Sequence, residues 1–354
     1  MKKNLKKLFA LPLVLAVVLT MGMLTGCRRP APPPVIPQED FVAADLGPVI
    51  SVAELRALIE SGDPNLVVIG AINPAAALVP FSAASRPIEG SYLIWRPDIT
   101  TSGSPAAIDP QISGMRIARS DMEALLSRAG VTSNSRVVVF AAGDLMDIGR
   151  VVWHLEMLGL RNVHYLDGGI NAWIAAGQPT GSGTRLSGLP TRTAFRSPNY
   201  NPAAFDAPFE LVVEALRNPD EWVVIDARSP AENAGDRVGA SGGGFGTGRI
   251  AGAVHINWVS AINPDTNLLR SIEELQAIYG DVIRGRNVIT FCQGGVRSAH
   301  TWFVLRHVLN HDRQVLNWDG SWIEWSFAAS SASGGRFPGI LEMTEAWTDN
   351  NGPI

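Results

Sequence analysis

One cysteine of the chain lies among neighbours that could make its sulfur reactive. The segment Cys292-Gln293-Gly294-Gly295-Val296-Arg297 stands between a short apolar run and a helical pattern. The glycines let the backbone curl so that several N–H groups point at the sulfur, and the amino end of the next helix adds its positive dipole. Such surroundings lower the pKa of a thiol from about 8.5 and stabilise a thiolate, a persulfide or a bound anion. The alternative, a small buried structural cysteine, needs none of these features.

Short apolar runs alternate with helical patterns along the chain. The run Asn287–Phe291 ends directly before Cys292, and an amphipathic pattern over 298–308 follows it. Similar helical patterns cover 52–60, 150–158 and 209–217. This alternation predicts an α/β fold in which parallel sheets are flanked by helices. Because ligands of open α/β sheets bind at the carboxyl ends of strands, Cys292 lies where a site is expected.

The two halves of the chain repeat each other at a distance of about 150 residues. The run at 223–226 matches the run at 67–70, and the run at 287–291 matches that at 136–140. The spacing predicts a domain duplication rather than a solenoid of short repeats. We expect a first domain over 45–180, a linker rich in Gly, Ser, Pro and Thr over 181–204, a second domain over 205–335 and a C-terminal tail over 336–354.

On these motifs the chain resembles tandem-domain rhodaneses, the thiosulfate and 3-mercaptopyruvate sulfurtransferase family. The resemblance covers both halves and is most specific in the second, where four motifs stand in the family's order. They are VIDARSPAE at 224–232, GRIAGAV at 248–254, FCQGGVR at 291–297 and DGSW at 319–322. The resemblance implies two tandem rhodanese-like domains, with the catalytic one in the second half.

The first half keeps only part of the family pattern. It retains PIEGSYL at 87–93 and LDGGINAW at 166–173, but Ala141 stands where the catalytic cysteine would be, and Gly70 replaces the aspartate at the end of a strand. The first half therefore resembles the inactive partner domain of tandem rhodaneses, which helps to shape the cleft.

The resemblance implies a two-step sulfur transfer through Cys292. The thiolate takes a sulfane sulfur from a donor, forms a persulfide, and gives the sulfur to a thiophilic acceptor such as cyanide or a thiol, a protein thiol included. The loop residues Gln293, Gly294, Gly295, Val296 and Arg297 would surround the substrate. Arg297 either offers its charge to an anionic donor or supports the loop through a carboxylate, and we favour the second interpretation. Asp226 and Arg228 resemble the family's supporting polar pair.

One departure from the family leaves the sulfur donor open. The resemblance implies an arginine six residues after the strand-end Asp226 in thiosulfate and 3-mercaptopyruvate enzymes, whereas this chain has Glu232. The interior of the loop also lacks the basic residue that accompanies a preference for thiosulfate. Thiosulfate and 3-mercaptopyruvate both remain candidate donors, with Glu232 in a supporting position.

Two other functions compete with sulfur transfer. A cysteine-based phosphatase or arsenate reductase would place five residues between Cys and Arg, but only four separate Cys292 from Arg297. A non-catalytic, lipid-anchored binding module with a rhodanese shell is the second alternative. The intact loop argues against a non-catalytic module. Glu232, which departs from the family pattern, leaves this alternative in place.

The amino-terminal segment has the layout of a bacterial lipoprotein signal. Four lysines in the first seven residues precede an apolar run over 8–24, and Leu24-Thr25-Gly26-Cys27 follows. This resemblance implies that residues 1–26 are a cleaved signal peptide and that Cys27 carries the lipid, with 27–44 as a Pro-rich tether. An uncleaved anchor and ordinary secretion are the alternatives. We expect an extracytoplasmic protein attached to a bacterial membrane.

The charge balance excludes some partners. The chain carries 29 Lys and Arg against 33 Asp and Glu. Without the four lysines of the first seven residues, 25 basic residues face 33 acidic ones, a net charge of −8. Nucleic acid is therefore not an expected partner, because phosphate backbones are bound by clustered cations. Neither a metal nor an organic cofactor is expected.

Overall fold

The computed structural model describes residues 46–101, 104, 107–236 and 244–350. The predicted signal peptide, Cys27 and the tether over 27–44 lie outside the described residues. Within the described ranges, no helix is both long and apolar enough to cross a membrane.

The first half of the described chain is built on a parallel sheet. Its spatial order is β1-β7-β6-β2-β3-β8. Two further strands, β4 and β5, form a separate antiparallel pair. The strands are β1 (Val49–Ile50), β2 (Leu66–Ala71), β3 (Tyr92–Ile94), β4 (Thr100–Thr101), β5 (Met115–Arg116), β6 (Arg136–Ala141), β7 (Val163–Leu166) and β8 (Thr184–Arg185).

Helices cover this first sheet. The longest of them, α5, follows the loop after β6 that corresponds to the loop after Cys292, and all but two of its residues are buried. The helices are α1 (Val52–Ser61), α2 (Pro74–Ala77), α3 (Arg96–Ile99), α4 (Arg119–Arg128), α5 (Met146–Met157) and α6 (Gly169–Ala175).

The second half repeats this architecture with a smaller parallel sheet in the order β11-β9-β12-β13. A separate antiparallel pair joins β10 to β14, so the C-terminal tail returns to the body of the second half. The strands are β9 (Trp222–Asp226), β10 (Gly246–Ile250), β11 (Val254–His255), β12 (Asn287–Phe291), β13 (Val315–Asn317) and β14 (Thr344–Asp349).

The helices of the second half begin at clear sequence signals. Ser271 and Glu274 form a reciprocal capping box at the start of α9, and Ser229 and Glu232 do the same for α8. The helices are α7 (Phe209–Arg217), α8 (Pro230–Asn233), α9 (Ile272–Ile283), α10 (Val296–Phe303), which continues as a π-helical turn over Val304–Val308, and α11 (Ser321–Ala329). The predicted α/β fold with parallel sheets flanked by helices is confirmed.

The two halves pack together through α5 and α10. Gly149 of α5 lies so close to α10 that a Cβ atom there would stand 2.6 Å from the Cα of His300. Tyr165 approaches the same histidine, with its hydroxyl 3.2 Å from Nε2. Side chains of both halves share one hydrophobic core around these helices. The described residues of both halves therefore form one compact unit, and the predicted domain boundaries stay predictions.

Candidate active site

Cys292 lies at the carboxyl end of β12, and a tight loop joins it to α10. The side chain is buried, with 1% of the residue exposed. Gly295 ends the loop with φ at 72°, a left-handed conformation that favours glycine. A Cβ at Gly295 would also stand 2.9 Å from Nη1 of Arg150. The second glycine is therefore required both by its backbone angle and by the close approach of a side chain from the first half.

Ser321, at the start of α11, holds both ends of this loop. Its Oγ accepts hydrogen bonds from the N–H groups of Cys292, at 3.1 Å, and Gly295, at 3.0 Å. The same hydroxyl donates to the carbonyl of Trp318 at 2.7 Å. These two amides therefore point at Ser321 and not at the sulfur.

Other groups of the loop surround the sulfur of Cys292. Ser298 Oγ lies 3.5 Å from Sγ, and the backbone N–H groups of Ser298 and Gly294 donate to it. Burial raises the pKa of the Cys292 thiol, but the charge of Arg297 and these hydrogen bonds outweigh it, so the pKa is lowered. The arrangement favours the thiolate, which is the nucleophilic form of cysteine.

Arg297 points at a carboxylate in α8, the short helix that follows β9. Its two terminal nitrogens donate to the two carboxylate oxygens of Glu232, at 2.7 and 2.8 Å. Burial raises the pKa of Glu232, but Arg297 and Ser229 outweigh burial and lower it to about 2. The charge of Arg297 is therefore balanced by an ionised partner. This ion pair is the contact that support of the loop requires, and the role of Arg297 stays a prediction.

Asp226 and Arg228 form a buried ion pair at the end of β9. Nη2 of Arg228 lies 2.7 Å from the carboxylate and also donates to the carbonyl of Gly248 at 3.1 Å. The guanidinium stacks over the ring of Trp322, 4.3 Å from its centroid. Neither member of the pair lines the cleft in front of Cys292. Their position is that of a support beneath the site.

The first half supplies one wall of the cleft in front of Cys292. The cleft has a volume of about 450 Å³, which is within the range of small-molecule sites. Arg96 reaches it from α3 while donating to both oxygens of the buried Asp147, at 2.7 and 3.0 Å. Asp144 lies on the same wall. The side chains that line the cleft are Arg96, Thr100, Ser113, Asp144, Met146, Trp258, Cys292, Gln293, Val296, Arg297 and Ile323, with the backbone of Gly114 and Gly294.

Arg150 of α5 contacts the loop after Cys292 from behind. Its Nη1 lies 2.6 Å from Oδ1 of Asp319 and 3.4 Å from the carbonyl of Gly295, and the residue is fully buried. Nδ2 of Asn317 donates to the same carbonyl at 3.2 Å. A residue of the half without a catalytic cysteine therefore helps to fix the loop that holds Cys292.

The structure places the predicted loop residues together but adds groups that sequence reasoning missed. Ser321 belongs to the DGSW motif and could have been found there, since a serine after a tight glycine turn is a common source of loop hydrogen bonds. Arg96 and Arg150 had no such signal, because their roles depend on how the halves pack. Gln293 is buried and lies on the cleft, with no hydrogen-bond partner for its side-chain amide among the described residues.

Comparisons with known proteins agree with this arrangement. A model of the rhodanese-like domain matches residues 211–328. A putative thiosulfate sulfurtransferase, SseA, of Mycobacterium bovis is 32% identical over 226 residues, which cover 62% of this chain and 73% of that protein. The thiosulfate sulfurtransferase of Corynebacterium glutamicum is 31% identical over 205 residues, 57% of this chain and 66% of that protein.

Solved structures show the same fold. The Tum1 protein of Saccharomyces cerevisiae superposes with a TM-score of 0.68 at 19% identity, covering 85% of this chain and 99% of that one. SseA of Escherichia coli, described as a 3-mercaptopyruvate sulfotransferase, superposes with a TM-score of 0.61 at 22% identity, covering 78% of this chain and all of that one. The shared fold, the relatives and the loop around Cys292 agree, and the chain belongs to the rhodanese family as a rhodanese-type sulfurtransferase.

Proposed function

We propose that Cys292 is the sulfur-carrying nucleophile of this enzyme. The observation that carries the proposal is the set of donors around its Sγ: the amides of Gly294 and Ser298, the hydroxyl of Ser298 and the charge of Arg297. These groups stabilise a thiolate before reaction and a terminal sulfur after it.

The reaction proceeds in two displacements. The thiolate of Cys292 attacks the transferable sulfur of the donor, an S–S bond forms to Sγ, and the donor's own bond to that sulfur breaks with its electron pair. With 3-mercaptopyruvate the bond that breaks is C–S, and the leaving group is the enolate of pyruvate. With thiosulfate the leaving group is sulfite. An acceptor nucleophile then attacks the terminal sulfur, and the electron pair of the enzyme's S–S bond returns to Cys292 as the thiolate.

Thiosulfate and 3-mercaptopyruvate are the donors suggested by the names of similar proteins. The acceptor is a thiophilic nucleophile such as cyanide or a thiol, with protein thiols included. In this scheme Arg297, Asp226, Arg228 and Glu232 hold the loop and its surroundings in place rather than contact the donor. Gln293, Gly294 and Val296 border the donor on the side of the second half.

The test follows thiocyanate formation from thiosulfate and cyanide with the full chain in detergent. Cys292→Ala should abolish turnover, and mass spectrometry after donor alone should find one added sulfur atom on Cys292. Ser61→Ala, a change at an exposed position of α1 that does not line the cleft, is the control and should keep both signals. Persulfide on another residue, or turnover by Cys292→Ala, would refute the assignment.

We further propose that the mature chain is a lipoprotein held at an extracytoplasmic membrane face. The supports are the four amino-terminal lysines, the apolar run over 8–24 and the sequence before Cys27. Labelled palmitate should be incorporated in cells and should disappear with Cys27→Ala, which should also move the protein out of the membrane fraction. Incorporation that survives Cys27→Ala would contradict the proposal.

A further inference from the structure

The charges in the cleft around Cys292 do not suit a doubly negative donor. Among the described residues that line the cleft, the charged side chains besides the cysteine are Arg96, Asp144 and Arg297. Arg297 already makes its two-point ion pair with Glu232. Both terminal nitrogens of Arg297 are therefore engaged, and among the described lining residues the guanidinium with a free terminal nitrogen is that of Arg96, on the wall that the first half supplies.

Arg96 has the geometry to bind a carboxylate on that wall. Its Nε and Nη2 are held by Asp147, which fixes the plane of the guanidinium. Its side chain is still 36% exposed, and Nη1 makes no hydrogen bond within the described ranges. A planar guanidinium with a free edge is a good partner for a carboxylate. The charge of Arg96 also acts on Cys292, since the two groups interact electrostatically.

Asp144 adds the opposite charge to the same wall. It lies just before α5, it is exposed, and its carboxylate accepts no hydrogen bond from the described residues. Arg96 interacts with Asp144 as well. An unpaired carboxylate at the mouth of a cleft attracts a cation such as an ammonium group and repels a dianion such as thiosulfate.

Resting on the proposed role of Cys292, we propose that the preferred donor is an α-amino-acid persulfide, its carboxylate bound by Arg96 and its ammonium group by Asp144. A cleft of about 450 Å³ accommodates such a molecule. The zwitterion places its carboxylate at the free terminal nitrogen of Arg96 and its ammonium group at Asp144, whereas thiosulfate makes only the first contact and is repelled by Asp144. The half without a catalytic cysteine thus selects the substrate of the other half.

The transfer balances without any further reagent. The Cys292 thiolate attacks the outer sulfur of the donor, and a bond forms between Sγ and that sulfur. The donor's S–S bond breaks, and its electron pair leaves on the inner sulfur as the amino-acid thiolate, which takes a proton from water. The outer sulfur stays on Cys292 as the persulfide.

The test compares donors that differ by one charged group. Persulfides of cysteine, of cysteamine, which lacks the carboxylate, and of 3-mercaptopropionate, which lacks the ammonium group, are each mixed with the full chain, beside thiosulfate. The rate of Cys292 persulfide formation is followed by mass spectrometry of quenched samples. We expect the cysteine persulfide to react about fivefold or more faster than either analogue, the size expected for one partly screened charge pair.

Two variants assign each preference to its residue. Arg96→Met should bring the cysteine and cysteamine persulfides to equal rates and leave the preference over 3-mercaptopropionate persulfide. Asp144→Asn should bring the cysteine and 3-mercaptopropionate persulfides to equal rates and leave the preference over cysteamine persulfide. Arg249→Met and Asp281→Asn, exposed charges outside the cleft, are matched controls and should keep both preferences.

The outcomes separate this proposal from the role of Cys292. If all four donors load Cys292 at similar rates, or thiosulfate is fastest, the donor assignment is wrong while the nucleophile stands. If no donor loads Cys292, the proposed nucleophile itself is wrong. Loss of a preference in the Arg249 or Asp281 variants would also overturn the assignment to the cleft wall.

Discussion

Arg297 and Glu232 connect α10, the helix that follows Cys292, to α8, the short helix that follows β9. The two hydrogen bonds, at 2.7 and 2.8 Å, use both terminal nitrogens and both carboxylate oxygens. Ser229 donates to the same carboxylate at 2.6 Å. The glutamate that departs from the family's arginine thus has a structural partner in the loop itself, and the two positions form one unit.

Arg297→Gln should affect stability and thiol chemistry separately. It leaves Glu232 as a buried carboxylate without its partner, which should cost roughly 3 kcal/mol of unfolding free energy. It also removes a charge that lowers the pKa of Cys292, so the pH profile of Cys292 alkylation by iodoacetamide should move to higher pH. Denaturant unfolding and alkylation rates measure the two effects.

The double variant Arg297→Gln/Glu232→Gln is the control. It removes both charges together, so most of the lost stability should return while the alkylation profile stays at higher pH. A profile that returned to its original position would show that Arg297 acts only by holding the loop.

Ser321→Ala should disturb the catalytic loop most directly. It leaves the buried N–H groups of Cys292 and Gly295 without an acceptor. Each unsatisfied group should lower the free energy of unfolding by roughly 1–3 kcal/mol. We expect kcat to fall about tenfold or more, because a small displacement of the sulfur is costly. Ser321 has φ at 51°, a left-handed backbone angle that glycine adopts without strain. Ser321→Gly therefore removes the hydroxyl without adding backbone strain, and its kcat should still be reduced. Full activity of Ser321→Gly would show that the hydroxyl is dispensable.

Glu324 should make the protein less stable as the pH rises. Burial, which its hydrogen bond from Trp318 only partly offsets, raises the pKa of this carboxyl to about 7 in the folded protein. Between about pH 4.5 and 7 the folded state holds a proton that the unfolded state has lost, so this group's stabilisation declines across that window, by on the order of 3 kcal/mol. Denaturant unfolding from pH 5 to 8 should show this slope, and Glu324→Gln should flatten it. A slope unchanged in the variant would exclude Glu324 as its source.

Two glycine substitutions with opposite expected effects on the free energy of unfolding test the packing of the halves. Gly149→Ala would place a Cβ 2.6 Å from the backbone of His300, so α5 and α10 must separate, and the unfolding free energy should fall by roughly 1–3 kcal/mol. Gly280→Ala meets only the end of the flexible Gln276 side chain, so the better helix former should add roughly 0.5–1 kcal/mol. Equal thermal midpoints for the two variants would contradict this account of the interface.

The sequence predicted those parts of the fold that depend on local pattern. The strand at Asn287–Phe291 and the helix at Phe209–Arg217 have the predicted bounds, because apolar periodicity and clear breakers define both. The helix after the catalytic loop begins at Val296, two residues before its predicted start, because Gly295 takes the left-handed turn that allows the helix to begin at once. In the first half α5 begins at Met146, four residues early, since Gly149 weakens the helical pattern.

The parts that the sequence did not predict depend on long-range packing. Glu232 looked like a departure from a substrate-binding pattern, and only its position opposite Arg297 gives it a role. Arg96 and Asp144 lie about 150 to 200 residues before the cysteine whose cleft they line, and no local pattern indicates such a meeting. The C-terminal tail predicted over 336–354 carries a strand that no local pattern indicated: residues 344–349 form β14 against β10, a pairing of residues about 100 apart in sequence.

The close contact of Gly149 with His300 joins two positions that correspond to each other in the two halves. Since Ala141 corresponds to Cys292, the offset between the halves is 151 residues here, and Gly149 corresponds to His300 itself. Equivalent positions that touch each other mark an approximate two-fold axis, as in the isologous interface of a homodimer. The contact is arranged as it would be between two related subunits joined into one polypeptide. Two halves joined in this way can change separately, so the first can carry alanine at position 141 while its surface forms part of the cleft in front of Cys292.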